Sequence, residues 1–358
     1  MNKDWILAVT FITVHLSLIL FGYPEMVFDV DRSGYWAPIL AGFLLEFILL
    51  RIYLSGLSAF PGEDLIRIFK RYGIGTARFL LLPLTAYFLL SIVILIRSHA
   101  ELLTIVLLPK TPIWAFMLML VVIPLVTSAQ RLTDILRATV TLTLLSFPFI
   151  LFSLLSCFQN IEINYAFPLE TDLFGWNLKA FLSSLFAFHG FLFIGLMASH
   201  WNLSMTRHRR KLYFALLALL PIFILSVYIP LMIFGPDAAS KLHYPLTVSI
   251  DTVDYEWLMF RRITIFYIAA SLAFIIIYLS ILIWMTATIV SVLYISASRQ
   301  TLTWFVTAAA FLTGLLFPDW ETIDWFIWLD TPLRLYSIVF IPLMTWGIGI
   351  AARRRMQE

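Results

Sequence analysis

Residues 5–30 read WILAVTFITVHLSLILFGYPEMVFDV, an apolar run interrupted near its end by Phe21-Gly22-Tyr23-Pro24-Glu25. About 20 mostly apolar residues suffice to cross a bilayer as a helix, so this run is a spanning helix with a break inside it. Gly22 relaxes the backbone there and Pro24 brings no amide donor. In hydrocarbon such a break is tolerated only where it packs in protein or lines a cavity. A second interruption, Phe188-His189-Gly190-Phe191 with Gly195 beyond it, sits inside the apolar run 178–200.

Working outward, and cutting the chain where charges, Pro and Gly cluster, gives ten spans: 5–30, 36–56, 77–108, 112–128, 135–158, 178–200, 212–234, 263–296, 301–317 and 332–352. The third and eighth exceed one crossing and must tilt or project. The expectation is an all-α polytopic membrane protein forming a single transmembrane domain, 1–358. Breaks in the first and sixth of ten helices predict a five-plus-five inverted repeat, 5–158 and 178–352, with a substrate held near the midplane by exposed half-helix ends. The plainer alternative is a pair of kinks, since Pro and Gly are common in membrane helices.

Composition agrees. Of 358 residues 61% are hydrophobic and 13% charged, far from the balance of soluble domains. The net charge of +3 and scattered basic residues give no nucleic-acid surface. The lone Cys157 excludes an internal disulfide and a Cys-based metal cluster. The first run lacks a small-residue cleavage site and ends in acidic residues, so it is no cleavable signal. With ten spans, sixteen of the 24 Lys and Arg fall on one face and seven on the other, Arg97 lying within a span. The positive-inside rule then places both termini in the cytoplasm. No phosphate-binding glycine loop, His-Glu-x-x-His or Gly-x-Ser-x-Gly occurs, so the sequence shows no enzyme signature and no cofactor is expected.

Polar groups at membrane depth are costly and turn inward. Arg97 and Glu101, spaced i, i+4, suit a self-neutralising pair near the interface. Glu46 and His99 lie within other apolar surroundings, and His189 beside Gly190 is either a ligand or proton site or a satisfied packing residue. Two stripes recur at helical spacing: Tyr87, Leu90, Ser91 and Ile94, then Tyr267, Ser271, Phe274 and Tyr278. Such stripes are more often packing than a ligand wall. The run 61–71, PGEDLIRIFKR, reads as a short amphipathic helix lying at the membrane surface.

Several short motifs, in order along the chain, resemble a known family: Pro24 closing the first span, PGEDLIRIF from Pro61, LLPKTPIW from Leu107, FGPD from Phe234, Tyr244-Pro245 followed by Arg261, LFPD from Leu316, and the basic end at Arg353. Together they resemble the B subunit of the GerA-type spore germinant receptors, in the amino acid, polyamine and organocation transporter superfamily. The resemblance implies an amino-acid-permease-like (LeuT-like) fold in the inner membrane of a bacterial spore. It also implies recognition of a small nutrient, commonly an amino acid, and signalling with an A subunit and a lipoprotein C subunit. Mapped here, the ligand pocket would lie where the first, third, sixth and eighth spans meet, at Ser17, Tyr87, Ser91, His189, Gly190, Tyr267 and Ser271. The chain departs from the family pattern in having Ser17 for a usual glycine, His189-Gly190-Phe191 for a common Gly-Gly-Glu, Ile263 for an Asp and Ala270 for a Trp. The rival expectation is a permease coupling amino acid entry to protons through His189 or the Arg97–Glu101 pair.

Overall fold

The structure is a computed structural model that describes residues 3–172, 175–201, 206–254 and 263–357. Arg261 and Arg262, counted above among the basic residues, lie outside the described residues. Seventeen α-helices carry the chain: α1 (Lys3–Ile19), α2 (Tyr23–Phe28), α3 (Trp36–Leu57), α4 (Leu65–Lys70), α5 (Ile74–Val106), α6 (Ile113–Ala129), α7 (Leu132–Ser156), α8 (Leu178–Ser184), α9 (Phe193–Met197), α10 (Thr206–Phe234), α11 (Pro236–Ala239), α12 (Pro245–Asp251), α13 (Thr264–Leu293), α14 (Arg299–Leu315), α15 (Trp320–Leu329), α16 (Thr331–Leu335) and α17 (Ile341–Gln357). Among the described residues there is no strand, and seven helical stretches are long and apolar enough to cross a membrane. Two shorter apolar helices, Trp5–Ile19 and Ile113–Ala129, accompany them.

The architecture is a bundle wrapped around α13, which packs against α1, α5, α6, α7 and α14. This central position explains its composition, since nearly every residue from Phe274 to Ala287 is buried on all sides. Helices α3 and α17 meet backbone to backbone: a Cβ on Gly56 would lie 2.6 Å from the Thr345 carbonyl carbon, and one on Gly349 would lie 2.9 Å from the Gly56 oxygen. Glycine at both positions is what permits this approach, as small residues do in membrane helix pairs.

The basic face has a structural use as well as a topological one. Helix C-termini leave unpaired carbonyls, and cations satisfy them. Arg299 donates to the Ser128 carbonyl (2.7 Å) at the end of α6, Arg78 to that of Leu293 (2.5 Å) at the end of α13, and Arg353 to that of Ser55 (2.6 Å) near the end of α3.

Two expectations need correction. The run 61–71 does form a short helix, capped where Asp64 accepts from the Arg67 amide (2.9 Å), but Leu65, Ile66, Ile68 and Phe69 are buried against protein. It is a packed buttress beneath α5 rather than a helix floating at the interface. The segment 319–330, which the ten spans leave as a connection between the ninth and the tenth, is instead mostly the helix α15, with Asp319 as its cap. Its charges hid a packed face carrying Ile323 and Ile327.

Candidate functional site

The first helix breaks at Leu20-Phe21-Gly22, between α1 and α2. Tyr267 on α13 donates its hydroxyl to the Leu20 carbonyl (2.7 Å), so a backbone acceptor released by the break is satisfied by a side chain from the opposite helix. The sixth stretch is interrupted differently. Between α8 and α9, residues Leu185–Leu192 wind as a 3-10 helix, tightened rather than opened, and all eight are buried. Arg334 on α16 holds the start of this segment. It donates to the carbonyls of Leu182 (2.9 Å) and Ser183 (2.6 Å), to that of Ile327, and to the carboxylate of Asp330. It is fully buried, with its guanidinium over the Phe186 ring.

His189 lies mid-segment. Its Nδ1 donates to the Phe186 carbonyl (2.5 Å), so its Nε2 accepts from the Tyr278 hydroxyl, the tautomer that leaves the ring neutral with both nitrogens used. The Tyr87 ring stands edge-on to it at 5.3 Å. Next along, Gly190 has no room for a side chain, because a Cβ would lie 2.7 Å from Cε1 of His15. His15 donates from Nδ1 to the Phe11 carbonyl (2.8 Å) and pairs through Nε2 with Glu46 Oε1 (2.6 Å), both side chains fully buried.

The structure therefore brings Tyr87, His189 and Gly190 together where α1, α5 and the 185–192 segment meet, with Tyr278 of α13 against His189, whereas Tyr267 stands about 16 Å along α13 from Tyr278 and faces the first break. Ser17 and Ser271 turn back onto their own helices, donating to the carbonyls of Val14 (2.6 Å) and Ile268 (2.9 Å). The hydroxyls of Tyr87 and Ser91, one helical turn apart on α5, are buried with no partner other than each other, and Tyr23 Oη and Glu46 Oε2 are buried without a hydrogen bond. Arg97 and Glu101 pair at 2.6 Å, and Arg97 also donates to the Phe317 carbonyl (3.1 Å), so this ion pair ties α5 to the α14–α15 turn. Among the described residues no cluster of three His, Cys, Asp or Glu could hold a metal ion.

A cavity of about 440 Å³ opens on the face that carries Glu25, Asp29, Glu321 and Asp324, the acidic face of the bundle. Glu25, Asp29, Lys179, Glu321, Asp324 and Trp328 surround it, and Phe21 and Gly22 of the first break form its floor. Phe21 stacks on His99 with ring centroids 3.9 Å apart and leans on Tyr244 at 5.0 Å. Beneath this plug lies a void of about 10 Å³ bordered by Tyr23, Ser98 and Ala187, room for about one water. Sequence reasoning does not single out Phe21, Tyr278 or Arg334: Tyr278 shows only as a member of an aromatic stripe, His99 lies 78 residues from Phe21, and Leu182 and Ser183 lie 152 and 151 residues from Arg334.

A bundle interrupted at its first and sixth stretches, with a cavity ending at the first interruption, is a polytopic membrane architecture. The solved structures agree: the substrate-bound outward-open state of a Na+-coupled sialic acid symporter superposes with a TM-score of 0.65 at 11% identity, covering 98% of this chain and 89% of that one. MhsT in complex with L-phenylalanine superposes with a TM-score of 0.60, also at 11% identity, covering 98% of each chain. These likenesses establish the LeuT-like fold. No curated protein matches the sequence significantly. The family model described as spore germination protein matches residues 6–319, and the chain belongs to that spore permease family. Family and fold are those of membrane transporters and receptors rather than enzymes.

Proposed function

We propose that this chain is the membrane subunit of a spore germinant receptor, binding a small nutrient, an amino acid by class, and passing the signal to A and C subunits. The observation that carries this reading is a spore germination family match over 6–319 on a transporter fold whose cavity leads to the broken first helix. In this reading the acidic face looks outward, both termini are cytoplasmic, and the membrane is the spore's inner one. The repeats 5–158 and 178–352 supply one broken helix each. The nutrient enters the cavity, displaces Phe21, and settles among Ser17, Tyr87, Ser91, His189, Gly190, Tyr267 and Ser271. Its carboxylate meets the amides at the start of α2, at the positive end of the half-helix. A ligand shifts the bundle only by its differential affinity for two packings, so the segment 185–192 must close on it.

The test is germination of spores lacking the subunit, and of Gly190→Trp and Ser17→Trp variants with confirmed protein levels, across a panel of amino acids and sugars. Selective loss of one nutrient's response supports sensing at this site, and normal responses throughout refute it. A proton-coupled permease is the second reading, favoured by the symporter-like fold. Accumulation of labelled amino acid in vesicles, abolished by an uncoupler, would select it, whereas binding without accumulation selects the receptor.

A further inference from the structure

Neither group named from sequence as a proton carrier is arranged to carry one. His189 uses both nitrogens in a neutral ring, and Arg97–Glu101 is clamped to the Phe317 carbonyl. The pair His15–Glu46 is arranged differently. His15 Nδ1 faces a carbonyl and must carry a proton. One further proton lies between Nε2 and Oε1, whichever atom holds it, and the pair as a whole is neutral. This leaves Glu46 Oε2 as a buried acceptor with no donor, while the buried Tyr23 hydroxyl also has no partner. Tyr23 is close enough to feel the Glu46 charge.

Neither the 440 Å³ cavity nor the small void is lined by His15 or Glu46, and Gly190 presses against the imidazole so closely that even a Cβ would not fit. A ligand that fills Oε2 must therefore occupy no volume. We infer that His15 and Glu46 form a proton-binding site, in which a proton from hydronium adds to Glu46 Oε2, the buried acceptor that has no donor.

One O–H bond of hydronium breaks as the Glu46 Oε2–H bond forms, water leaves, and the pair changes from neutral to singly positive, as imidazolium beside carboxylic acid. The titratable groups facing the pair are Tyr23 from α2 and His189 from the 185–192 segment, with Tyr278 of α13 and Tyr87 of α5 behind His189. Helix α7 presents the Thr143 hydroxyl, bonded to Thr13. Helix α10 presents Phe223 toward Tyr23 and α3, and α17 meets α3 at the uncharged Thr345. The positive charge that proton uptake creates lies against Gly190, so protonation bears directly on the packing of the 185–192 segment. This inference does not depend on which nutrient, if any, the protein recognises.

The experiment is infrared difference spectroscopy of the purified full-length protein in lipid nanodiscs, stepping pH from alkaline to acid. The expected result is a carbonyl stretch of a protonated, non-aqueous carboxyl that appears on acidification, disappears in Glu46→Gln, and persists in Glu25→Gln and Glu101→Gln. Since Glu46→Gln could disturb folding, His15→Gln is the second variant: it must keep the band but change the pH at which it appears. A band unaffected by Glu46→Gln, or a His15→Gln titration identical to that of the unmodified protein, would overturn the inference.

Discussion

Tyr267 and Leu20 are 247 residues apart, yet one hydroxyl-to-carbonyl hydrogen bond of 2.7 Å makes the first turn of α13 the support of the break in the first helix. Tyr267→Phe leaves the ring's packing intact and orphans the carbonyl, a loss of about 1–3 kcal/mol for a buried acceptor. The expected outcome is a lower thermal unfolding midpoint in detergent. An unchanged midpoint would mean that water reaches the break.

Gly190→Ala places a methyl group 2.7 Å from the His15 ring. Either the 185–192 segment or the His15–Glu46 pair must give way, at about 1–3 kcal/mol for overpacking a tight core. The variant should fold with reduced stability, and removing the imidazole's bulk in Gly190→Ala/His15→Ala should recover part of the loss. Strict additivity of the two changes would argue against the contact.

Phe21 separates the 440 Å³ cavity from the void beside Ser98. Cys157 is buried, so a cysteine introduced as Ser98→Cys is a clean reporter. In that background Phe21→Ala should raise the rate of labelling by a small charged thiol reagent several-fold from the acidic face only. Equal rates with and without Phe21 would show that the ring is no barrier.

At the α15 cap, Asp319 accepts hydrogen bonds from the Thr322 amide (2.9 Å) and hydroxyl (2.6 Å), which hold its carboxyl below the ordinary Asp value of 3.8. A depressed carboxyl contributes stability above its unfolded value and loses that contribution as pH falls through the folded one. Asp319→Ala should therefore weaken protection of the first-turn amides of α15 at neutral pH, and variant and parent should converge below about pH 4, near the usual carboxylate value. Hydrogen exchange over that range checks both halves of the statement.

The spans were legible because a bilayer imposes a length and an apolar composition that survive in any order of residues. The two interruptions were legible because Gly and Pro act locally on the backbone. The sense of the second was not: whether Phe188-His189-Gly190-Phe191 unwinds or tightens depends on Arg334 gripping the carbonyls of Leu182 and Ser183 from 151 residues or more downstream. Glu46 was visible as an intramembrane acid, but its partner His15 sits on another helix and no periodicity joins them. Acidic residues likewise concealed α15, because a helix whose apolar face packs inward and whose other face borders a wet cavity resembles a loop in hydropathy.

The glycine contact between α3 and α17 ties these parts into one mechanical unit. Backbones that touch at Gly56, Thr345 and Gly349 have no side chains between them to slide or repack, so the two helices tilt together or not at all. One end of this strut continues through the π-helical turn 336–340 into α16 and Arg334, and the other member carries Glu46. The strut therefore joins the cavity wall at Ile327, held by Arg334, to the helix that carries Glu46.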